Sequence, residues 1–172
     1  MTRHPGGEEH SRYLIELSFV KPPAKWLDMG AGAGETVSLL RSMGYEAEGI
    51  DLEPSGEGVI KGDYLEAPYA DESFDAIISQ CSFFVSGDVP KALKEAGRML
   101  KKGGKLVFSD VTADVVGLLN DCRKAGFAVR HMEDMTDAWK EYYLEALWKE
   151  ENVCTLPGKK VSYVLFICER TV

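Results

Sequence analysis

The stretch that most limits what this chain can become is Trp26-Leu27-Asp28-Met29-Gly30-Ala31-Gly32-Ala33-Gly34-Glu35. An apolar strand end runs through an acid into three glycines at alternate positions, and Thr36 to Met43 then reads as a helix. Strand, glycine turn and helix N-terminus together bring bare backbone N–H groups against a ligand. The dinucleotide pattern G-x-G-x-x-G needs a third glycine where Glu35 stands, so it fails on spacing. No Gly-Lys-Ser/Thr follows, which excludes a phosphate loop as well. Asp28 would repel a pyrophosphate and attract a cation. A strand–turn–helix corner without a ligand has the same outline, so the rest of the chain must decide.

At 172 residues, 45% hydrophobic and 28% charged, the chain is expected to form one globular domain over 1–172. A net charge of −8 opposes holding long nucleic acid by phosphate neutralisation. Lys91, Lys94, Arg98, Lys101, Lys102 and Lys105 cluster at helical spacing beside a turn, as a solvated helix face does. Glu8, Glu9 and His10 stand where an export signal would be apolar, and the longest apolar run, Val164 to Cys168, is too short to span a bilayer. Cys81, Cys122, Cys154 and Cys168 form no C-x-x-C pair, which fits neither a disulfide framework nor a zinc site. A cytoplasmic protein without nucleic-acid or membrane partners and without a metal is the expectation.

His4-Pro5-Gly6-Gly7 makes a turn, and residues 8–18 predict an amphipathic helix with Tyr13, Leu14 and Leu17 on its apolar side. A strand is expected at 25–29. A second runs from Gly44 to Asp51 and ends in an acid. Asp51 lies 21 residues beyond Gly30, where an acid takes both hydroxyls of a nucleoside ribose, and Leu52 beside it suits an adenine face. Only Glu53 to Gly58 precede the next strand, Val59-Ile60, whereas a parallel crossover needs a dozen or more residues. The helix after the second strand is therefore expected to be lost, leaving a short third strand at the sheet edge.

Ala76 to Ser79 reads as a buried parallel strand. A helix starts at Asp88-Val89-Pro90 and is broken by Lys102-Gly103-Gly104-Lys105, with a strand at 106–110. A helix at 114–125 and a strand at 127–132 follow. Thr136 or Asp137 is expected to cap a helix from 138 to about 151, on which Trp139, Tyr142, Tyr143, Ala146 and Leu147 share a face. Leu156-Pro157-Gly158-Lys159 turns the chain into a last strand, Val161 to Glu169.

From about residue 25 to 168 these stretches resemble the class I S-adenosylmethionine-dependent methyltransferases. The resemblance rests on Asp28 with Gly30, Gly32 and Gly34, on Gly62-Asp63 followed by Pro68 and Phe74-Asp75, and on Leu100-Lys101-Lys102-Gly103-Gly104 before a strand. It is closest to the small-molecule branch near the quinone-biosynthesis enzymes. It implies an α/β fold: a seven-stranded, mostly parallel sheet of order 3-2-1-4-5-7-6, the last strand antiparallel, flanked by helices. Residues 1–24 would form an N-terminal lid over a 25–172 core, with His4 and Gly7 in the lid.

The implied cofactor is S-adenosylmethionine, leaving as S-adenosylhomocysteine. By this resemblance Asp28 faces the cationic methionine end, Asp63 accepts the adenine amino proton with Tyr64 beside the ring, and Gln80 and Cys81 line the cofactor. Phe83 is a candidate substrate wall, Asp110 a substrate contact or base, and Trp139 part of an aromatic substrate pocket or dimer face. Gln80-Cys81-Ser82-Phe83 departs from the Asn-Pro-Pro-Tyr of enzymes that methylate base amino groups or a glutamine amide. Arsenite methyltransferases use several cysteines, so Cys81 reads as a small buried residue. The implied activity is methyl transfer to a small molecule, with no catalytic residue assigned. The alternative is a cofactor-binding module that works only with a partner protein, and a homodimer also remains open.

Overall fold

The structure, a computed structural model, describes residues 4–149 and 160–172. Its elements are α1 (Gly7–Leu17), β1 (Lys25–Met29), α2 (Glu35–Ser42), β2 (Glu46–Asp51), β3 (Val59–Lys61), β4 (Phe74–Gln80), α3 (Val89–Met99), β5 (Leu100–Thr112), α4 (Val115–Lys124), β6 (Phe127–Asp134), α5 (Thr136–Trp148) and β7 (Ser162–Arg170). The strands form one sheet of order β3-β2-β1-β4-β5-β7-β6. β3, β2, β1, β4 and β5 pair in parallel, while β7 is antiparallel to both β5 and β6. The expected order and the reversed last strand are both present.

Alternation along the strands splits the core into two layers. Leu27, Met29, Ile77, Phe108 and Phe166 join one buried cluster, whereas Trp26, Ala76, Ile78, Val107 and Leu165 join the other. Both faces of the central strands are thus covered, which explains why their sequences are continuously apolar. Phe108 and Phe166 are cross-strand partners on β5 and β7, with rings stacked at 5.1 Å; such a pair adds about 0.5–1.5 kcal/mol beyond its buried area. Cys122 on α4 and Cys168 on β7 are both buried, and each thiol sits within hydrogen-bonding reach of the other. That contact was invisible in their spacing.

The lost helix is real: residues 52–58 cross from β2 to β3 without one, and β3 is a three-residue edge strand. The replacement loop folds back on the glycine turn, with Ser55 N–H donating to Gly32 O at 3.1 Å.

Five expectations need correction. β5 begins at Leu100, so Lys102 to Lys105 lie inside a strand; the register slips between Phe74 and Ala76 of β4, absorbing the extra residues where Gly103 turns at φ +75°. β4 itself starts at Phe74 and β6 continues to Asp134. The buried side of α1 is His10, Ser11, Leu14 and Ile15, while Tyr13 is turned outward to donate to Glu133 at 2.6 Å. α5 begins at Thr136, whose N–H is taken by Asp134 at 2.9 Å. The expected end of that helix near 151, the turn at 156–159 and Cys154 lie outside the described residues.

Candidate functional site

β1 sits between β2 and β4, where the connections of the sheet diverge, so its C-terminal end opens a crevice for a ligand. The glycine turn emerges there. Gly30, Gly32 and Gly34 all have positive φ, at +86°, +49° and +76°. Their surroundings differ. A Cβ on Gly30 would fall 2.0 Å from Ser82 Oγ, and one on Gly34 would fall 2.9 Å from Glu57 O, so these two glycines exist for close packing. Beside Gly32 nothing lies within 4 Å. The side-chain direction of the middle glycine therefore faces open space.

Two acids flank this cradle. Asp28 is 4% exposed, faces no cation among the described residues, and its carboxyl is pushed up to about 7 by burial and then by the charge of Asp51. Asp51 is held in place by the N–H of Gly32 and the N–H of Glu53, both at 2.9 Å. Leu52 next to it is 62% exposed. Asp63 stays on the surface and accepts the Leu65 N–H at 2.8 Å. A buried uncompensated carboxyl, an oriented carboxylate, an exposed leucine and an open glycine cradle lie at one end of the sheet. Together they fit a ligand with a cationic end, a ribose and a purine.

The replacement loop braces the cradle from behind. A Cβ on Gly56 would sit 1.7 Å from Ala33 O, a backbone atom that cannot swing aside. Gly56→Ala is expected to push the glycine turn out of shape, costing about 1–3 kcal/mol of stability by overpacking. A thermal melt checks this, with a lower midpoint for the variant as the expected result.

The remaining candidates divide. Tyr64 and Phe83 are core residues. The Tyr64 hydroxyl donates to Ser82 O at 2.8 Å, and the two rings lie 5.9 Å apart. Phe83 is 1% exposed, so it is no wall of an open cavity. Asp110 is buried too, with its oxygens accepting the N–H groups of Phe84 (2.9 Å) and Val111 (2.8 Å). Burial carries its carboxyl to about 6, but its geometry is that of a strap between β5 and the turn after β4.

Gln80, at the end of β4, reaches α1. Its Oε1 accepts from Ser11 Oγ at 3.0 Å and Thr36 Oγ1 at 3.2 Å, and its Nε2 lies 3.3 Å from His4 Nδ1. Gly7 contributes its carbonyl to Ser11. Cys81 follows with φ +52°, an unusual conformation for a non-glycine residue, and its Sγ lies 3.8 Å from the Tyr163 hydroxyl. Tyr163 donates to Ser109 Oγ at 2.8 Å, and His10 Nε2 is 3.2 Å from that same oxygen. Burial, with the neighbouring His4, takes His10 down to about 4, so it is neutral in this network. Trp139, 6% exposed, stacks on Tyr163 at 6.2 Å.

A cavity of about 220 Å³ opens next to this network, walled by Pro5, His10, Trp139 and Tyr163 and rimmed by α5. A larger one, about 600 Å³, lies at the opposite end of the strands among Phe19, Lys21, Lys101 and Lys102, away from every residue above. Among the described residues, no group of three or more His, Cys, Asp or Glu is arranged to hold a metal, and no helix is long and apolar enough to cross a membrane.

Comparison with known proteins identifies the domain. Residues 27–108 match the model of a methyltransferase domain. The chain is 33% identical over 134 residues to malonyl-[acyl-carrier protein] O-methyltransferase 1 of Coxiella burnetii, covering 73% of this chain and 47% of that protein. It is 26% identical over 165 residues to the demethylmenaquinone methyltransferase of Alkalihalophilus pseudofirmus, covering 86% and 70% respectively. A crystal structure described as a sarcosine dimethylglycine methyltransferase of Galdieria sulphuraria has the same fold, with a TM-score of 0.80 and 19% identity over 95% of this chain and 86% of the other. The chain carries a methyltransferase domain over residues 27–108, and its sheet has the fold of the class I S-adenosylmethionine-dependent enzymes. It spans about half the length of the first of these relatives, or less for a second malonyl-carrier-protein enzyme.

In this chain the polar network beside the smaller cavity is what the sequence did not reveal. His10, Ser11, Thr36, Ser109 and Tyr163 come from α1, α2, β5 and β7. Tyr163 is the informative case. A reversed last strand begins where β5 ends, and Tyr163 pairs in register with Val111. The strand order therefore contained the signal, once combined with strand direction.

Proposed function

We propose that this methyltransferase binds S-adenosylmethionine at the glycine turn and passes its methyl group to a small-molecule acceptor. The observation that carries this reading is Asp51, fixed by the Gly32 N–H beside a buried Asp28 that faces no cation among the described residues. Asp28 would balance the methionine ammonium, Asp51 would take the ribose hydroxyls, and Leu52 with Asp63 would hold the adenine. When bound, the cofactor supplies a sulfonium methyl carbon, to which an acceptor lone pair bonds as the carbon–sulfur pair stays on sulfur. The chain's contribution is position and exclusion of water. Gln80, Ser11 and His4 hold α1 across the strand ends as a lid, and Tyr163 and His10 form the polar floor between cofactor and acceptor. His10, held neutral, is a weak base, which suits an acceptor already nucleophilic at working pH.

A partner-dependent module is the weaker alternative, because this chain alone supplies the walls of a cavity beside the cofactor end. The test is incubation of the pure protein and cell extract with methyl-labelled S-adenosylmethionine, followed by separation by size. Label in the small-molecule fraction is expected. Label confined to macromolecules, or no calorimetric binding of S-adenosylmethionine or S-adenosylhomocysteine, would overturn the reading.

A further inference from the structure

The named relatives do not agree on an acceptor, so the cavity itself must be asked. Three of its features point the same way. Its walls are aromatic: Trp139, Tyr142 and Tyr163 line it, and the Trp139 and Tyr163 rings stack at 6.2 Å with their planes 16° apart. Its rim carries Glu141 and Glu145, four residues apart on α5 and therefore on one face of the helix. No lysine or arginine lines it among the described residues. Glu145 has one exposed ionic neighbour, Lys149 at 4.0 Å, which leaves its charge largely available. Glu141 pairs with no cation among the described residues. Glu133, which bonds Tyr13 and His131, adds further negative potential near His10.

Aromatic faces attract cations through the ring quadrupole, and carboxylates at the rim attract them through charge. An anionic acceptor would meet the opposite field on entry. About 220 Å³ admits a compact headgroup and excludes a long polycyclic body. We infer that this cavity is the acceptor site and that it selects a small amine-bearing molecule, bound through its cationic ammonium head between Trp139, Tyr163 and the Glu141–Glu145 rim. The inference rests on the methyl-transfer reading for its consequence: the ammonium carries no lone pair and serves as the handle, and an uncharged nucleophile elsewhere on the same molecule takes the methyl group. The binding itself stands independently. His10 and the Tyr163 hydroxyl form the floor, and their mutual hydrogen bonding through Ser109 fixes the ring that the cation meets.

The probe is tetramethylammonium, compared with tert-butanol, a neutral molecule of similar shape. Binding to the full chain is followed by the indole N–H signal of Trp139 in NMR. Tetramethylammonium is expected to bind about tenfold more tightly than tert-butanol, a gap in the range of cation–π and rim charge together. Glu141→Gln combined with Glu145→Gln, both on the exposed side of α5, should shrink that gap to about threefold or less. Trp139→Leu, followed by the Tyr163 ring signals in place of the missing indole, should remove the preference altogether. Equal binding of the two probes, or a preference that the double glutamine variant leaves intact, overturns the inference. Calorimetry with S-adenosylhomocysteine on the same samples separates the two claims. Cofactor binding without cation preference defeats only the acceptor class; cation preference without cofactor binding defeats only the methyl-transfer reading.

Discussion

Asp51→Ala is expected to weaken S-adenosylhomocysteine binding by about 100-fold or more, because a carboxylate accepting two ribose hydroxyls makes two charge-assisted bonds of roughly 1.5–3 kcal/mol each. The site is already arranged for this. The Gly32 and Glu53 N–H groups hold the carboxylate at the end of β2, so little ordering remains for the ligand to impose. The same substitution frees the Gly32 N–H and loosens the glycine turn, which adds to the loss. Asp63→Ala removes one surface acceptor whose other role is to cap Leu65, and should cost only about tenfold or less. Calorimetric titration of both variants, with thermal melts to establish folding, decides it. Unchanged affinity in Asp51→Ala would remove Asp51 from the cofactor site, and the proposed function would lose its main support.

Asp28→Asn should act in opposite directions on stability and on binding. A buried carboxyl whose pKa rises on folding from its ordinary 3.8 to about 7 opposes the native state when ionised. The sign follows from proton linkage. The opposition is absent below about pH 4, grows as pH rises toward 7 and is complete above it. At pH 8 the asparagine variant should therefore be more stable than the wild type by about 2–4 kcal/mol, the upper figure being the full equivalent of the change from 3.8 to 7. Near pH 4 the advantage should vanish. The cofactor's ammonium needs the ionised form, so wild-type affinity should climb by up to about tenfold per pH unit between pH 5 and 7 and then level off. The asparagine variant should bind more weakly and show a flat profile over that range. Denaturant unfolding and calorimetry across the pH series measure both effects. A variant less stable than the wild type at pH 8 would mean that Asp28 holds the fold together rather than waiting for a cation.

These two acids were readable in the sequence because local rules place them. An acid two residues before the first glycine, and another at the end of the next strand, need only the geometry of one strand–turn–helix unit and its neighbour. The same holds for the lost helix, since seven residues between β2 and β3 cannot make a crossover whatever the rest of the chain does. Leu52 was legible for the same reason. Phe83 and Asp110 were misplaced. Being near a strand's C-terminal end puts a residue close to the crevice, but it does not settle whether the side chain turns into the crevice or back into the core. Here Phe83 joins the cluster with Tyr64 and Phe108, and Asp110 turns onto backbone N–H groups. The apolar side of α1 was misjudged because its buried positions include His10 and Ser11, polar residues that hydropathy sends outward but that find partners on Ser109 and Gln80.

The sequence by itself determined the order of strands and helices, the glycine turn, and the pair of acids that flank it, since each depends on residues within one or two consecutive elements. Only the tertiary structure decided the acceptor side. His10, Gln80, Ser109, Trp139 and Tyr163 come from five elements as much as 153 residues apart, and hydrogen bonds that span such separations exist only after the sheet has closed. Hydrophobic periodicity shows which face of an element is buried, but not which other element covers it. For a site made where α1, β4, β5, α5 and β7 converge, that choice of neighbour determines the chemistry.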